Sequence, residues 1–263
     1  MIKLVVSDID GTLLPEGTDK INPKLYDAIR ELKRRDILFA AASGRQYASM
    51  LSVLRPVADD IIFIAENGTN VMCRGRNISC EYIDAEVAEE VVRCLRGLPD
   101  CKTTLSIPET MYIEDKDPAF LKLLTDGYHN EMAVVDDLIP YCKMTNKLSV
   151  YRADGVDKIE KEIMERFGGR LHITVSGRIW IDFMKPGTDK GNALATIQRQ
   201  MHIGVEETMA FGDNCNDIGM LARAGESYAV AGAHPQLKEC AKHIAPPIEE
   251  DGVLRTLQET LLS

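Results

Sequence analysis

The sequence predicts an α/β protein, a doubly wound parallel sheet interrupted by an inserted α+β domain. Three observations lead there. Strand, helix and strand patterns follow one another within the first 45 residues, as in a parallel βαβ unit. Between about 84 and 183 the texture changes to helices alternating with pairs of short strands, which suits a mainly antiparallel sheet. After Lys185-Pro186-Gly187 the strand–helix alternation resumes, so the middle reads as an insertion within one α/β domain.

The first strand is the apolar run Ile2, Leu4, Val5, Val6, too short and too β-branched for a helix. It ends in Asp8-Ile9-Asp10-Gly11, and a polar loop, Pro15 to Asn22, follows. Asn22-Pro23 has the form of a helix start, and Leu25, Ala28, Ile29 and Leu32 recur at helical spacing through Arg35. Ile37–Ala42 is a second buried strand closed by Ser43-Gly44-Arg45. A helix over Tyr47–Leu54 and a strand over Asp60–Ala65 come next, the latter ending in Glu66-Asn67-Gly68-Thr69.

In the insertion the pattern predicts helices over Glu86–Leu98, Pro118–Tyr128 and Val156–Phe167. Strands are expected at Thr103–Ile107, Met111–Glu114, Met132–Val135 and Lys147–Arg152. A hairpin of Leu171–Ser176 with Ile179–Phe183 turns at Ser176-Gly177-Arg178. Beyond it, Thr188 or Asp189 can cap a helix carrying Lys190-Gly191 and running to Met201. Thr208–Phe211 is a buried strand ending in Gly212-Asp213-Asn214-Cys215-Asn216-Asp217. Helix Met220–Ala224, strand Ser227–Val230 and helices Pro235–Ala241 and Val253–Leu262 complete the chain.

Composition narrows the function. With 45% hydrophobic and 27% charged residues the chain is globular rather than disordered. A formal net charge of −10 argues against a general grip on nucleic-acid phosphates, so any anionic substrate must be met by local positive charge. The seven cysteines are irregularly spaced with no Cys-x-x-Cys pair, which favours reduced thiols over a zinc site or a disulfide framework. No basic-then-apolar leader opens the sequence and no apolar run reaches transmembrane length. A cytoplasmic protein without a membrane partner is expected.

Polar residues punctuate four strand ends: Asp8/Asp10, Ser43-Gly44-Arg45, Glu66-Asn67-Gly68 and Gly212-Asp213 to Asn216-Asp217. In a parallel sheet all carboxyl ends share one edge, so these turns can converge on one pocket. Asp8 and Asp10 are one residue apart and can face one site, where a divalent cation would relieve their repulsion. Adding Lys190 gives acids for a metal, a hydroxyl with backbone amides, and an ammonium, a set suited to a phosphoryl group. Singly, each element is ordinary: Asp and Gly are turn formers, a helix lysine is usually solvated, and Asp217 suits a helix's first turn. Their joint order is not.

Asp8-Ile9-Asp10-Gly11-Thr12-Leu13, Ser43-Gly44-Arg45, Lys190-Gly191 and Gly212-Asp213-Asn214-x-Asn216-Asp217 resemble the four motifs of the haloacid dehalogenase (HAD) superfamily. The large insertion between the second and third resembles its Cof-like phosphatase branch. The resemblance covers essentially the whole chain and implies a Rossmann-like core, 1–83 with 184–263, and a specificity cap, 84–183. It implies a phosphatase for small phosphorylated metabolites such as sugar phosphates or phosphorylated cofactors. Asp8 would be the nucleophile forming an aspartyl-phosphate, and Asp10 the general acid and then base. Mg²⁺ would be held by Asp8, the backbone carbonyl of Asp10, and Asp213. Ser43, the amides of Ile9 and Gly44, and Asn216 would hold phosphate oxygens. Lys190 would neutralise charge, with Asp217 orienting it or a metal water. Arg45 and Asn67 would face the substrate.

Two rivals remain open from sequence alone: a phosphomutase of the same superfamily, and a phospho-accepting signalling module. The Asp-x-Asp spacing and the inserted segment speak against the second. Trp180 reads as core rather than a ligand platform, and the five histidines show no metal-like spacing. Cys215 is a mild departure inside the fourth motif. Oligomeric state is not encoded in any recognisable pattern.

Overall fold

A computed structural model describes residues 1–15, 18, 20–176 and 178–263. Gly177 of the expected hairpin turn, and Glu16, Gly17 and Asp19 of the expected loop, lie outside the described residues. The chain divides into two compact units, Met1–Gln46 with Met50–Ser79 and Asp189–Ser263, and Tyr47–Ser49 with Cys80–Thr188. No helix among the described residues is long and apolar enough to cross a membrane.

The chain begins with β1 (Leu4–Asp8), α1 (Pro23–Arg34), β2 (Leu38–Ala42), α2 (Tyr47–Leu54) and β3 (Ile61–Ala65), all in the first unit except the opening turn of α2. Helix α1 forms where the pattern places it. The Asn22 side chain accepts from the Lys24 amide at 3.0 Å, Pro23 needs no donor there, and Leu25, Ala28, Ile29 and Leu32 are buried. Two strands the sequence did not announce follow, β4 (Asn70–Cys73) and β5 (Arg76–Cys80). Their connection, Arg74-Gly75, is left-handed at both positions (φ 49° and 70°), the geometry of a tight hairpin turn. Arg in place of the usual Asn removes the signal.

The second unit holds α3 (Ala85–Arg96), β6 (Lys102–Ser106), β7 (Met111–Ile113), α4 (Pro118–Lys122), β8 (Met132–Val134), β9 (Lys147–Tyr151), α5 (Asp157–Phe167), β10 (His172–Ser176) and β11 (Trp180–Met184). Its sheet runs β10-β11-β9-β6-β7-β8, antiparallel except for the parallel β7–β8 pair. Leu105, Leu148, Val150, Ile181 and Phe183 alternate onto one face and pack with Val91, Val92 and Leu95 of α3 and Ile159, Ile163 and Phe167 of α5. On the other face Asp182 accepts from Ser149 Oγ at 2.6 Å and Ser176 Oγ at 2.9 Å. Trp180 and Tyr151 pack on Phe120, with ring centroids 6.2 and 5.0 Å away. The helix expected to reach Tyr128 stops being α-helical after Lys122 and closes with a π turn, Leu123–Gly127. There the Tyr128 amide bonds the Leu123 carbonyl and the Thr125 hydroxyl bonds that of Leu121, in competition with the regular ladder.

The chain then returns to the first unit through α6 (Lys190–Met201), β12 (Thr208–Gly212), α7 (Ile218–Leu221), β13 (Glu226–Val230), α8 (Pro235–Cys240), β14 (His243–Ala245) and α9 (Gly252–Thr260). The sheet order is β14-β13-β12-β1-β2-β3-β4-β5, parallel from β14 through β3 and antiparallel at β3–β4. Strands β1, β3 and β12 are buried along their whole length, as a covered parallel sheet requires. From β1 the chain winds outward through β2 and β3, and from β12 outward through β13 and β14. The order therefore reverses between β1 and β12, the position where doubly wound sheets open a crevice.

Helices α6 and α7 meet at glycine. A Cβ on Gly191 would lie 2.4 Å from the Gly219 backbone, whereas one on Gly169 would meet nothing within 4 Å. Gly191→Ala should therefore lower stability by about 1–3 kcal/mol through overpacking, and Gly169→Ala should change it by less than about 0.5 kcal/mol. Denaturant midpoints compare them.

Candidate active site

The carboxyl ends of β12, β1, β2 and β3 are neighbours, and the polar turns converge there. Asp8 closes β1 and is buried. Lys190, at the first turn of α6, donates from Nζ to Asp8 Oδ1 at 2.5 Å and to Asp217 Oδ1 at 2.6 Å. The ammonium is 1% exposed, so a residue type usually solvated is here enclosed between two carboxylates. Helix α6 is aimed by its cap: Asp189, rather than Thr188, accepts from the Asn192 amide at 2.7 Å. Asp217 also orders its own loop, Oδ2 accepting from the Asp213 and Asn214 amides at 3.1 and 3.2 Å.

Burial pushes the Asp8 carboxyl well above the ordinary carboxylate range, against the pull of Lys190, and Asp217 and Asp213 push it further. Burial disfavours the Lys190 ammonium, yet Asp217 and Asp8 outweigh it and raise its pKa above the usual lysine range. The site is thus short of positive charge. Asp8 Oδ2 is buried with no hydrogen-bond partner among the described residues. Oxygens of Asp8, Asp213 and Asp217 lie within 4.8 Å of one another. These residues fit a hard divalent cation, to which the Asp8 and Asp213 carboxylates could each offer an oxygen and which would supply the missing charge. Because both Asp217 oxygens are already engaged, Asp8 and Asp213 are the side chains best placed to ligate.

Asp10 points elsewhere. Its carboxylate receives Arg45 Nη2 at 2.7 Å and Nε at 3.0 Å, and Ser43 Oγ at 3.3 Å. The Arg45 amide in turn donates to Ser43 Oγ at 3.1 Å. A side-chain role for Asp10 at the cation is therefore absent, and its main-chain carbonyl is what remains for that purpose. The Ile9 carbonyl collects the amides of Thr12, Leu13 and Leu14, which folds the turn tightly. Gly11, at φ 82°, is demanded twice over, since a Cβ there would stand 2.3 Å from Asp213 Oδ2.

Asn216 Nδ2 donates to Asn67 Oδ1 at 3.2 Å, and the Asn67 carboxamide lies beside Gly44, whose missing Cβ would stand 3.2 Å from Asn67 Nδ2. All the residues singled out in the sequence thus share one edge of the sheet. Two were missed. Thr12 is buried and its Oγ1 donates to Asp213 Oδ1 at 3.4 Å, tying the first motif to the fourth. His234 donates its amide to the Asp213 carbonyl at 2.7 Å, an ordinary backbone bond with no sequence signature.

Comparison with known proteins agrees with this geometry. The chain is 28% identical over 261 residues to the 5-amino-6-(5-phospho-D-ribitylamino)uracil phosphatase of Escherichia coli, covering 99% of this chain and 96% of that one. It is 28% identical over 248 residues to the HMP-PP phosphatase of Cronobacter sakazakii, covering 93% and 89%. Among solved structures, one from Eubacterium rectale superposes with a TM-score of 0.89 at 30% identity over 99% of both chains. Another from Thermotoga maritima gives 0.87 at 27% identity over 98% of this chain and 97% of that one. Residues 5–257 match the haloacid dehalogenase-like hydrolase family model, and the chain belongs to that family.

Proposed function

We propose that this protein is a Mg²⁺-dependent phosphatase that hydrolyses small phosphorylated metabolites through an aspartyl-phosphate on Asp8. The observation that carries the reading is the asymmetry of the Asp8 carboxylate: Oδ1 is fixed by Lys190 while Oδ2 is buried and without a hydrogen bond. An oxygen so held is aimed rather than solvated, which is what in-line attack on phosphorus needs. Phosphatase relatives aligned along nearly the whole chain support the same reading.

In this mechanism Oδ2 of Asp8 attacks phosphorus and the P–O bond to the leaving group breaks. Asp10 gives that alkoxide its proton, then takes one from the water that hydrolyses the acyl phosphate. Ser43, the Ile9 and Gly44 amides and Asn216 bind the phosphoryl oxygens, and Lys190 offsets the charge that builds on them. Asp8, Asp213 and the Asp10 main-chain carbonyl would hold Mg²⁺, which when bound would supply the remaining positive charge at the phosphoryl group. Arg45 holds Asp10 beside the phosphate loop. The inserted unit selects the substrate, and the relative from Escherichia coli is named for a phosphorylated ribitylamino-uracil, a class to test first. All seven cysteines are free, in keeping with a reducing cytoplasm.

Phosphate release from p-nitrophenyl phosphate should require Mg²⁺ and stop with EDTA; release undiminished by chelation would remove the metal from the scheme. Asp8→Asn should abolish release while circular dichroism stays that of the wild type. Residual turnover near wild type would refute Asp8 as nucleophile. Asp10→Asn should slow the reaction by roughly 10²–10⁴-fold, the usual worth of a positioned proton donor. An unchanged rate would take Asp10 out of the proton transfers.

A further inference from the structure

The turn after β3 touches three other loops of the site. Glu66 and Asn67 both adopt left-handed backbone, φ 51° and 57°, and Gly68 follows at φ 99°. Consecutive residues hold that conformation only where their surroundings over-determine it. The surroundings here are the motifs themselves. The Glu66 amide donates to the Arg45 carbonyl and the Asn67 amide to the Ser43 carbonyl, each at 2.9 Å. On its other side the turn abuts α6: a Cβ on Gly68 would lie 2.4 Å from the carbonyl oxygen of Asp189, the residue before Lys190. From its centre the buried Asn67 carboxamide passes Gly44 and accepts from Asn216.

The direction of that last bond matters. A carboxamide has an oxygen face and an NH₂ face, and only the second can serve an anion. Because Asn67 Oδ1 accepts one proton of Asn216 Nδ2, turning Asn216 over would set two oxygens against each other. The second Nδ2 proton is thereby left for a phosphoryl oxygen. We infer that Asn67 is a positioning residue that fixes the Asn216 carboxamide with its donor toward the phosphoryl group, from a turn that also ties the Ser43–Arg45 loop to the start of α6. This rests on the phosphatase reading and adds to it a residue that acts through another.

A double-mutant cycle tests it. Asn67→Gly keeps the left-handed backbone and deletes only the carboxamide; Asn216→Ala deletes the group it orients. KM for p-nitrophenyl phosphate, kcat, and the inhibition constant of inorganic phosphate are measured with Mg²⁺ for wild type, both single variants and the double variant. Thermal unfolding is followed in parallel. Each single variant should raise KM and the phosphate inhibition constant by about fivefold to tenfold, the worth of one hydrogen bond. The fall in kcat/KM should be carried by KM, since the contact serves ground and transition states alike. The double variant should match Asn216→Ala alone, and Asn67→Gly should unfold no earlier than wild type. Multiplying factors in the double variant, or an unchanged KM in Asn67→Gly, would overturn the inference while leaving the phosphatase standing. Wild type without turnover would overturn the phosphatase reading, and the same cycle is then read from calorimetric titration with inorganic phosphate. Absence of phosphate binding there would end both.

Discussion

The site depends on a buried lysine. Lys190 Nζ stands between Asp8 and Asp217, and each carboxylate is enclosed only because the ammonium is there. Taking charges out of water is costly, and their mutual attraction repays it only when geometry and further hydrogen bonds are good. Both conditions hold: the contacts are 2.5 and 2.6 Å, and the far oxygen of Asp217 is met by two backbone amides. Through those amides the lysine also governs the loop that carries Asp213. Geometry around the Asp8 carboxylate is therefore a product of electrostatics, with little left to side-chain freedom.

The sheet explains why so few residues suffice. Reversal of strand order between β1 and β12 places Asp8 and Asp213 on either side of one crevice, and β2 adds Ser43 and Arg45 from the adjacent position. Within it the acids are sorted by environment. Asp8 is desolvated and held by a lysine; Asp10, part-exposed, is paired with an arginine and a serine. Two carboxylates one residue apart so acquire different partners and different chemistry.

Much of this was legible in the sequence. The apolar runs that end in Asp, Ser, Glu or Gly identified β1, β2, β3 and β12, because a strand covered on both faces has to be continuously apolar and its turn has to be polar. The ordered motifs then named Asp8, Asp10, Ser43, Lys190, Asp213 and Asn216. Where reading failed, the cause is physical. Strands β4 and β5 turn through Arg74, a residue that rarely adopts a left-handed backbone, and β14 is a three-residue edge strand with two exposed positions. Around the π turn after α4 the Tyr128 amide reaches the Leu123 carbonyl and the Thr125 hydroxyl that of Leu121, contacts that no residue pattern announces. Thr12 looks like any turn threonine until Asp213, 201 positions away, arrives beside it. The Arg45–Asp10 pair was likewise invisible, since Arg45 carries nothing in its own neighbourhood that names its partner.

Strand β1 is hydrogen-bonded on one side to β2, a near neighbour in sequence, and on the other to β12, where Leu4 meets Thr208. During biosynthesis the first half of this crevice exists long before the second. A chain extended through Thr188 already has Asp8, Asp10 and Ser43 but lacks Lys190, Asp213 and Asn216. Domains fold as units when their residues are present, and distant strand pairings are the slow ones. The segment Cys80–Thr188, with its own core, is complete at that stage; the other unit is not. The nascent chain therefore holds Asp8 without the ammonium that pairs with it, and the site is complete only when α6 and β12 have joined β1.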